Sequence, residues 1–293
     1  MELFNLTYKK NIPLMCVFEL TGRCNLRCLH CYIPEYNVPE LTTDEVFSTL
    51  RQMYEAGCMY VVFTGGEPFI RADIFEILGF AKSLHFDVRV FSNATLIDGT
   101  RAKKISQTGI SSVEVSLYGR QAIHDRITGV SGSFKKTVQG LMSMKQRGIK
   151  LTIKCPVMKL NFSEYPWLIN FARENNFNYR FDASISPKTD GNCGPLKYRI
   201  NKSGLKKLFS DKTLVTKTEV GKRKERIVAI EQSDFSCSAG KNFISITCCG
   251  DVFPCLQMPI KVGNVREMKF RDIMNSAKTA FIRNIGAQNI KRC

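Results

Sequence analysis

The feature that most restricts how this chain can fold is the repeated alternation of short β-rich runs with longer segments of helical periodicity. The predicted strands span residues 14–20, 60–63, 88–91, 112–117, 151–157 and 179–185. Helices are predicted near residues 43–56, 72–83, 98–107, 133–147 and 163–175, with Thr42, Asp98 and Ser163 as expected capping residues. Such alternation is typical of an α/β protein with a parallel sheet. Six units predict a partial (β/α)6 barrel rather than a closed eightfold one.

The chemistry of such a fold is expected at one edge of the sheet. Ligands of parallel sheets bind at the carboxyl ends of the strands. The loops that begin at Thr21, Thr64, Ser92 and Tyr118 are therefore the expected positions of a site.

Length and composition indicate a folded protein with an appendage. The chain has 293 residues, of which 44% are hydrophobic, enough for a sizeable core. We expect an N-terminal extension (1–12), the barrel (13–196), a basic linker (197–232) and a cysteine-rich C-terminal domain (233–293). The sequence contains neither an apolar run long enough for a membrane span nor a secretory signal, so a cytoplasmic location without membrane association is expected.

The charge is strongly positive and unevenly distributed. Forty-three Lys and Arg residues oppose 26 Asp and Glu residues, a formal net charge of +17. Residues 197–226 carry eleven basic and three acidic side chains. This segment is either a solvated bridge between domains or a docking surface for an acidic partner.

Twelve cysteines in a cytosolic chain of this size favour metal ligation over disulfide bonds. Cys16, Cys58 and Cys155 are expected to be ordinary core residues. Cys24, Cys28 and Cys31 lie in one short loop directly after the first predicted strand. Three thiolates at this spacing fit three corners of a cubic iron-sulfur cluster and leave one iron without a protein ligand. A zinc site would need a fourth ligand, for which only His30 or Cys16 is near.

This Cys-x3-Cys-x2-Cys loop resembles that of the radical S-adenosylmethionine (SAM) superfamily. The resemblance implies that Cys24, Cys28 and Cys31 hold a [4Fe-4S] cluster whose open iron binds SAM. Reductive cleavage of SAM then gives a 5′-deoxyadenosyl radical that removes a hydrogen atom from the substrate. The implied reductant is an electron carrier such as flavodoxin or ferredoxin.

Further residues match the superfamily at the ends of the following strands. Gly65, Gly66, Glu67 and Pro68 resemble its Gly-Gly-Glu-Pro motif, which binds the amino group of SAM. Adjacent glycines allow close backbone approach, and a carboxylate can bind an ammonium group. Ribose contacts are implied for Ser92, Asn93 and Ser116, and an adenine contact is implied for His30.

On the later strands, Lys154 and the alternating Arg180, Asp182 and Ser184 are expected to face the barrel interior. Salt bridges satisfied within the protein are the expected explanation for them.

The C-terminal cysteines resemble the opening of a SPASM or twitch domain, an auxiliary iron-sulfur module of radical enzymes. Cys237 and Cys255 form a Cys-x12-Gly-x4-Cys pattern, and Cys293 falls where a further cysteine group of a full SPASM domain would begin. These three residues are the expected auxiliary ligands, whereas Cys248 or Cys249 is either a fourth ligand or hairpin core. The module is then either a one-cluster twitch form or truncated.

The resemblance implies an enzyme that modifies a peptide or protein, with a ribosomally made precursor peptide as the leading hypothesis. The modification would be a thioether or carbon-carbon crosslink, an oxidation or an epimerisation. An acidic leader segment of the substrate would bind the basic linker. A tetrapyrrole side chain and sulfatase maturation are alternative targets. An alternative of another class is a non-catalytic iron-sulfur or zinc redox sensor that docks nucleic acid, although nucleic acid is not the expected partner of the enzyme. The sequence identifies no catalytic side chain besides the cofactor ligands.

Overall fold

The computed structural model describes residues 2–211, 213–214 and 237–285. Its strands are β1 (Met15–Thr21), β2 (Tyr60–Gly65), β3 (Asp87–Ser92), β4 (Ser112–Ser116), β5 (Leu151–Pro156), β6 (Asn178–Asp182), β7 (Phe243–Ile246), β8 (Asp251–Phe253) and β9 (Gly263–Asn264). Its α-helices are α1 (Glu2–Lys10), α2 (Thr43–Glu55), α3 (Ile74–Ser83), α4 (Gly99–Thr108), α5 (Gln121–Thr128), α6 (Ser133–Lys145), α7 (Tyr165–Glu174), α8 (Lys202–Ser210), α9 (Phe270–Asn275) and α10 (Ala277–Arg283).

The strands form one sheet in the order β6-β5-β4-β3-β2-β1-β7-β8-β9. Strands β1 to β6 are parallel to their neighbours, as the α/β alternation predicts. Strand β7 also pairs in parallel with β1, so the cysteine-rich segment extends the barrel sheet directly. The antiparallel pairs β7–β8 and β8–β9 complete the sheet.

Alternation along each strand separates the two faces of the sheet. One face packs against the helices and is almost completely buried, with Phe18 and Phe63 both at 0% exposure. Cys16, Cys58 and Cys155 belong to this core, which confirms that prediction. The opposite face, here called the inner face, carries polar and partly exposed side chains, among them Glu19 and Glu114.

Capping explains two of the helix starts. Thr42 and Glu45 form a reciprocal capping box at α2, and the side chain of Asp98 accepts a hydrogen bond from the Arg101 N–H at α4. The prediction that Ser163 caps the next helix is wrong, because α7 begins at Tyr165. Glu164 precedes it and makes no cap bond, since its carboxylate binds the side chain and the N–H of Arg120.

Some boundaries also differ from the prediction. Strand β6 ends at Asp182 rather than at residue 185, because the Asp182 carboxylate accepts a hydrogen bond from the Ser184 N–H and turns the chain. Helices α1, α5 and α8 lie in segments where no helix is predicted. Helix α1 lies beside β7: Asn242 donates its side-chain amide to the carbonyl of Phe4. No helix in the described part of the chain has the length and apolar character to span a bilayer.

Candidate active site

The three-cysteine loop leaves the carboxyl end of β1 and is held by backbone hydrogen bonds to two other elements. The N–H groups of Arg27 and Leu29 donate to the last carbonyls of α5, at Thr128 (2.8 Å) and Ile127 (2.9 Å). At the start of the loop, the hydroxyl of Thr21 donates to the carboxylate of Glu40. The loop is thereby held at its start and again at Arg27 and Leu29.

The three thiols influence one another electrostatically but are not placed around a single ion. Burial is the main reason that the pKa of Cys24 rises to about 11 and that of Cys28 to about 12, and the neighbouring thiols add to both shifts. Among the residues that the structure describes, no three His, Cys, Asp or Glu side chains are placed to hold one metal ion. Three thiols of one loop are the ligand set that a cubic cluster with one open iron needs, whereas a structural zinc site takes four protein ligands.

The two glycines after β2 provide space for the cysteine loop. Gly65 has a φ of +128°, and a Cβ at this position would lie 2.3 Å from the carbonyl oxygen of Thr21. A Cβ on Gly66 would lie 2.1 Å from the carbonyl oxygen of Arg23. The N–H groups of Gly66 and Glu67 donate to these same carbonyls, at 2.8 and 2.9 Å. In this structure the close approach of the glycines is therefore to the cysteine loop.

The carboxylate of Glu67 joins the ends of β2 and β3. It is 0% exposed and accepts three hydrogen bonds: from the hydroxyl of Ser92 (2.8 Å), the N–H of Asn93 (2.7 Å) and the N–H of Phe69 (3.2 Å). Burial raises the pKa of Glu67 to about 7, although these bonds act in the opposite direction. Oε1 accepts two of these bonds and Oε2 accepts one, so a position for one further donor remains on the carboxylate. Pro68 follows as the first residue of a short 3-10 turn.

Asn93 connects the end of β3 to the cysteine loop. Its side-chain amide donates to Asn25 Oδ1 (2.9 Å) and lies 3.9 Å from Sγ of Cys24. Asn25 in turn donates to the hydroxyl of Thr95 (2.7 Å). The structure thus brings Asn93 to the cysteine loop, whereas Ser92 binds Glu67, and the ribose contacts of both residues stay a prediction. The sequence analysis does not identify Asn25 as a site residue. Its position directly after Cys24 is the signal that could have indicated it.

An aromatic cluster follows β4 on the other side of the loop. The ring of Tyr118 packs edge-on against His30, with centroids 5.0 Å apart, and lies 27° from parallel to the ring of His124. Burial lowers the pKa of His30 to about 4, so its imidazole is neutral, and its Nδ1 is buried without a hydrogen-bond partner. Ser116, the last residue of β4, is half-buried beside this cluster. An unpartnered buried nitrogen at this position indicates that a ligand group completes the site.

Comparison with known protein families agrees with this arrangement. The profile of the Radical SAM superfamily matches residues 18–172, more than half of the chain. The chain belongs to the radical SAM superfamily. Residues 237–293 match SPASM, an iron-sulfur cluster-binding domain, which makes the chain a SPASM-type radical SAM enzyme. The non-catalytic sensor alternative is therefore set aside.

Two characterised relatives illustrate the range of this family. The chain is 26% identical to the AdoMet-dependent heme synthase of Methanosarcina barkeri, an alignment that covers 92% of this chain and 84% of that protein. It is 28% identical to the PqqA peptide cyclase of Bradyrhizobium diazoefficiens over 55% of this chain and 43% of the cyclase.

Among solved structures, the fold is similar to that of SuiB from Streptococcus suis bound to its precursor peptide SuiA. The TM-score is 0.76 at 19% identity, and the match covers 97% of this chain and 70% of SuiB. The SAM-bound enzyme anSMEcpe superimposes with a TM-score of 0.67 at 17% identity, covering 92% of this chain and 79% of that one. These similarities concern the fold.

The cofactors of this family are a [4Fe-4S] cluster and SAM, with auxiliary clusters in the SPASM domain. The residues present fit the first cluster, because three free cysteine thiols share one short loop. The unpartnered Nδ1 of His30 beside them fits a nucleotide ligand.

The SPASM segment brings its first two cysteines together. The N–H of Gly240 donates to the carbonyl of Pro254 (3.2 Å), so the chain segments that carry Cys237 and Cys255 are adjacent. Both thiols accept a hydrogen bond from the N–H two residues later. Cys293 lies outside the described residues.

The neighbouring thiols of Cys248 and Cys249 lie elsewhere. Burial is the main reason that the pKa of both thiols is raised, and the charge of Glu19, near the carboxyl end of β1, adds to both shifts. Cys237, in contrast, interacts electrostatically with Cys255.

The inner face of the sheet carries charged side chains directly beside the site. The ammonium of Lys154 on β5 lies 3.8 Å from Oε2 of Glu114 on β4 and 3.5 Å from the ring centroid of Phe91 on β3. On β1, Glu19 accepts a hydrogen bond from the hydroxyl of Tyr32 (2.6 Å), and burial raises its pKa to about 7. A polar inner face beside the cofactor loops suits a substrate with charged groups.

Proposed function

We propose that the protein cleaves SAM reductively and uses the radical to modify a peptide or protein substrate, with a ribosomally made precursor peptide as the leading candidate. The observation that carries this proposal is the three-cysteine loop, fixed to the ends of β2, β3 and β4 around the unpartnered His30 nitrogen. When bound, the cluster and SAM supply a 5′-deoxyadenosyl radical that removes a hydrogen atom from the substrate.

The residues of the chain have separate tasks in this proposal. Cys24, Cys28 and Cys31 would hold the cluster as thiolates, and iron binding would displace their protons. The backbone of Gly65 to Pro68 would receive the amino group of SAM, while the Glu67 carboxylate holds the strand ends in place. Ser92, Asn93 and Ser116 would contact the ribose, and the neutral imidazole of His30 would lie against adenine. The auxiliary cluster would be held by Cys237, Cys255 and Cys293.

A peptide substrate is supported by access and by charge. A cleft of about 360 Å³ opens at the end of β6, lined by Ser184, Ser186 and Arg199 and by Gln257, two residues after Cys255.

Helix α8, at the start of the basic linker, exposes Lys202, Lys206 and Lys207. An acidic leader segment of the substrate would bind there, and its affinity should fall as salt screens the charges. SuiB, which shares the fold, was solved with a bound precursor peptide, and one relative in sequence is named a PqqA peptide cyclase.

A tetrapyrrole substrate is the second candidate. The observation that favours it is coverage: the match to the Methanosarcina barkeri heme synthase spans 92% of this chain, whereas the match to the PqqA cyclase spans 55%. Such a substrate would present its carboxylate side chains to the same inner face.

The SAM chemistry is tested with protein that has been reconstituted with iron and sulfide without oxygen. With dithionite as reductant, it should convert SAM to 5′-deoxyadenosine and methionine, detected by mass spectrometry. Cys28→Ser should abolish this conversion, whereas Cys193→Ser, which replaces an exposed cysteine outside the cluster loops, should retain it. Absence of conversion in protein with a full iron content would contradict the proposal.

The substrate is tested in the same preparation. Precursor peptides and iron coproporphyrin III are incubated in parallel, and the products are analysed by mass change. Cys255→Ser should retain SAM cleavage but lose substrate modification. Modification of the porphyrin alone would replace the peptide proposal with the tetrapyrrole one.

A further inference from the structure

Two cations lie side by side on the inner face, next to the proposed SAM site. Lys154 on β5 and Arg180 on β6 are register partners, so their side chains leave the same face of neighbouring strands. Adjacent strands lie about 4.8 Å apart, and like charges directly opposite each other are destabilising. Such an arrangement is best compensated by an anion between the two side chains.

The acids nearby provide only partial compensation. Glu114 lies 3.8 Å from the Lys154 ammonium, beyond hydrogen-bond distance, and the structure gives its Oε2 no hydrogen-bond partner. The side chain of Glu114 is nine-tenths buried. Asp182, the next inner-face residue of β6, holds the N–H of Ser184. The internal salt bridge expected from the sequence is therefore present between Lys154 and Glu114, but it is long and contains no hydrogen bond, so Glu114 Oε2 keeps unused accepting capacity.

The position of Lys154 connects this pair to the reaction. Lys154 is the register partner of Ser116, the proposed ribose contact at the end of β4. The side chain of Lys154 is 28% exposed, and its ammonium lies 3.5 Å from the centroid of the Phe91 ring. Burial lowers the pKa of Lys154, as does the charge of Arg180, whereas the charges of Glu114 and Asp182 raise it. A carboxylate that binds beside Lys154 would replace the water around its partly buried ammonium.

We propose that Lys154 and Arg180 form a carboxylate-binding site that orients the substrate on the inner face, and that Glu114 competes with the substrate for Lys154. This inference rests on the proposed function. The ligand is a carboxylate, which an acidic residue of a peptide or the side chain of a tetrapyrrole can provide. Lys154 and Arg180 determine specificity in this proposal, and Glu114 keeps the ammonium oriented before the substrate binds.

The test measures binding and needs no turnover. Reconstituted protein with SAM is titrated in a calorimeter with N-acetyl-glutamate methylamide and with its neutral counterpart, N-acetyl-glutamine methylamide. A second arm uses coproporphyrin III and its tetraamide. We expect the charged member of at least one pair to bind about tenfold more tightly than the neutral one. Preference within the first pair indicates a peptide source, and preference within the second pair alone indicates a tetrapyrrole.

The variants should change this affinity in opposite directions. Lys154→Met and Arg180→Met should each weaken carboxylate binding by about tenfold, whereas Glu114→Gln should strengthen it because it removes the competing carboxylate. Lys150→Met, an exposed lysine just before β5, is the matched control and should change nothing. If the three inner-face side chains had only a structural role, all three variants would bind the carboxylate probe more weakly.

Three results would overturn the proposal. The first is equal affinity for the charged and neutral probes in both arms, and the second is weakening by Glu114→Gln. The third is that Lys154→Met weakens SAM binding as much as probe binding, which would assign Lys154 to the SAM site. SAM cleavage by the unmodified protein is measured separately, so failure of the proposed function is distinguished from failure of this site.

Discussion

The hydroxyl of Tyr118 lies 4.0 Å from Sγ of Cys28, although 90 positions separate the two residues. Hydrogen bonds to the sulfur ligands of a cluster stabilise its more negative, reduced state and so raise its potential. Tyr118→Phe should therefore lower the midpoint potential of the cluster by on the order of tens of millivolts. The measurement is a redox titration followed by electron paramagnetic resonance. Tyr54→Phe, an exposed tyrosine on α2, is the control, and a rise in potential would refute this role of the hydroxyl.

Gly66 and Gly79 form a matched pair for testing the contact between the glycine loop and the cysteine loop. A Cβ on Gly66 would lie 2.1 Å from a backbone oxygen, whereas a Cβ on Gly79 would meet no atom within 4 Å. Gly66→Ala should displace the cysteine loop and lower the iron content of reconstituted protein by more than about half. Gly79→Ala should retain the iron and stabilise α3 by about 0.5–1 kcal/mol. Equal iron content in the two variants would show that the loop tolerates the displacement.

Glu67 should contribute strongly to stability. Glu67→Gln keeps the shape of the side chain but turns an amide N–H₂ towards groups that donate hydrogen bonds. We expect the free energy of unfolding to fall by about 1–3 kcal/mol and SAM cleavage to fall with it. Glu76→Gln on the exposed side of α3 should alter neither. Denaturant titration measures the first quantity, and an unchanged midpoint would contradict the prediction.

His124 should make the stability depend on pH below neutrality. Burial lowers its pKa from 6.5 to about 4, and its Nδ1 accepts a hydrogen bond from the N–H of Tyr118. Between these values the unfolded chain binds a proton that the folded protein does not. The contribution of His124 to the free energy of unfolding should therefore be greatest above pH 6.5 and fall, by up to about 1 kcal/mol per pH unit, as the pH drops towards 4.

The His124 contribution is the difference between variants. His124→Gln should flatten the pH dependence over that range, whereas His85→Gln, which replaces an exposed histidine, should leave it unchanged. Thermal unfolding at a series of pH values gives both slopes, and parallel curves for the wild type and His124→Gln would exclude this origin.

Local patterns in the sequence predict most of the barrel because its strands are short runs of β-branched and aromatic residues between clear helix signals. Strand starts at Tyr60, Ser112 and Leu151 agree with the prediction. Helix α5 was missed because residues 121–128 form only about two turns between a strand and a longer helix.

The site shows the same division between local and distant information. The residue types of the cysteine loop and of Gly65 to Pro68 are local patterns, so the sequence predicts them as a site. The partners of Glu67 are 25 and 26 residues away, and the pairing of β7 with β1 joins segments more than 200 residues apart. Contacts of this kind depend on how the whole chain packs, and neither periodicity nor motif spacing reports them.

The pairing of β7 with β1 has a mechanical consequence. Strand β1 carries the cysteine loop at its end, and its outer backbone donors and acceptors are used by the C-terminal segment. Removing that segment would leave β1 as a bare edge, open to pairing with other chains. The C-terminal segment therefore also stabilises the strand that carries the cysteine loop. A chain shortened to the six predicted units is expected to aggregate before its SAM cleavage can be assayed.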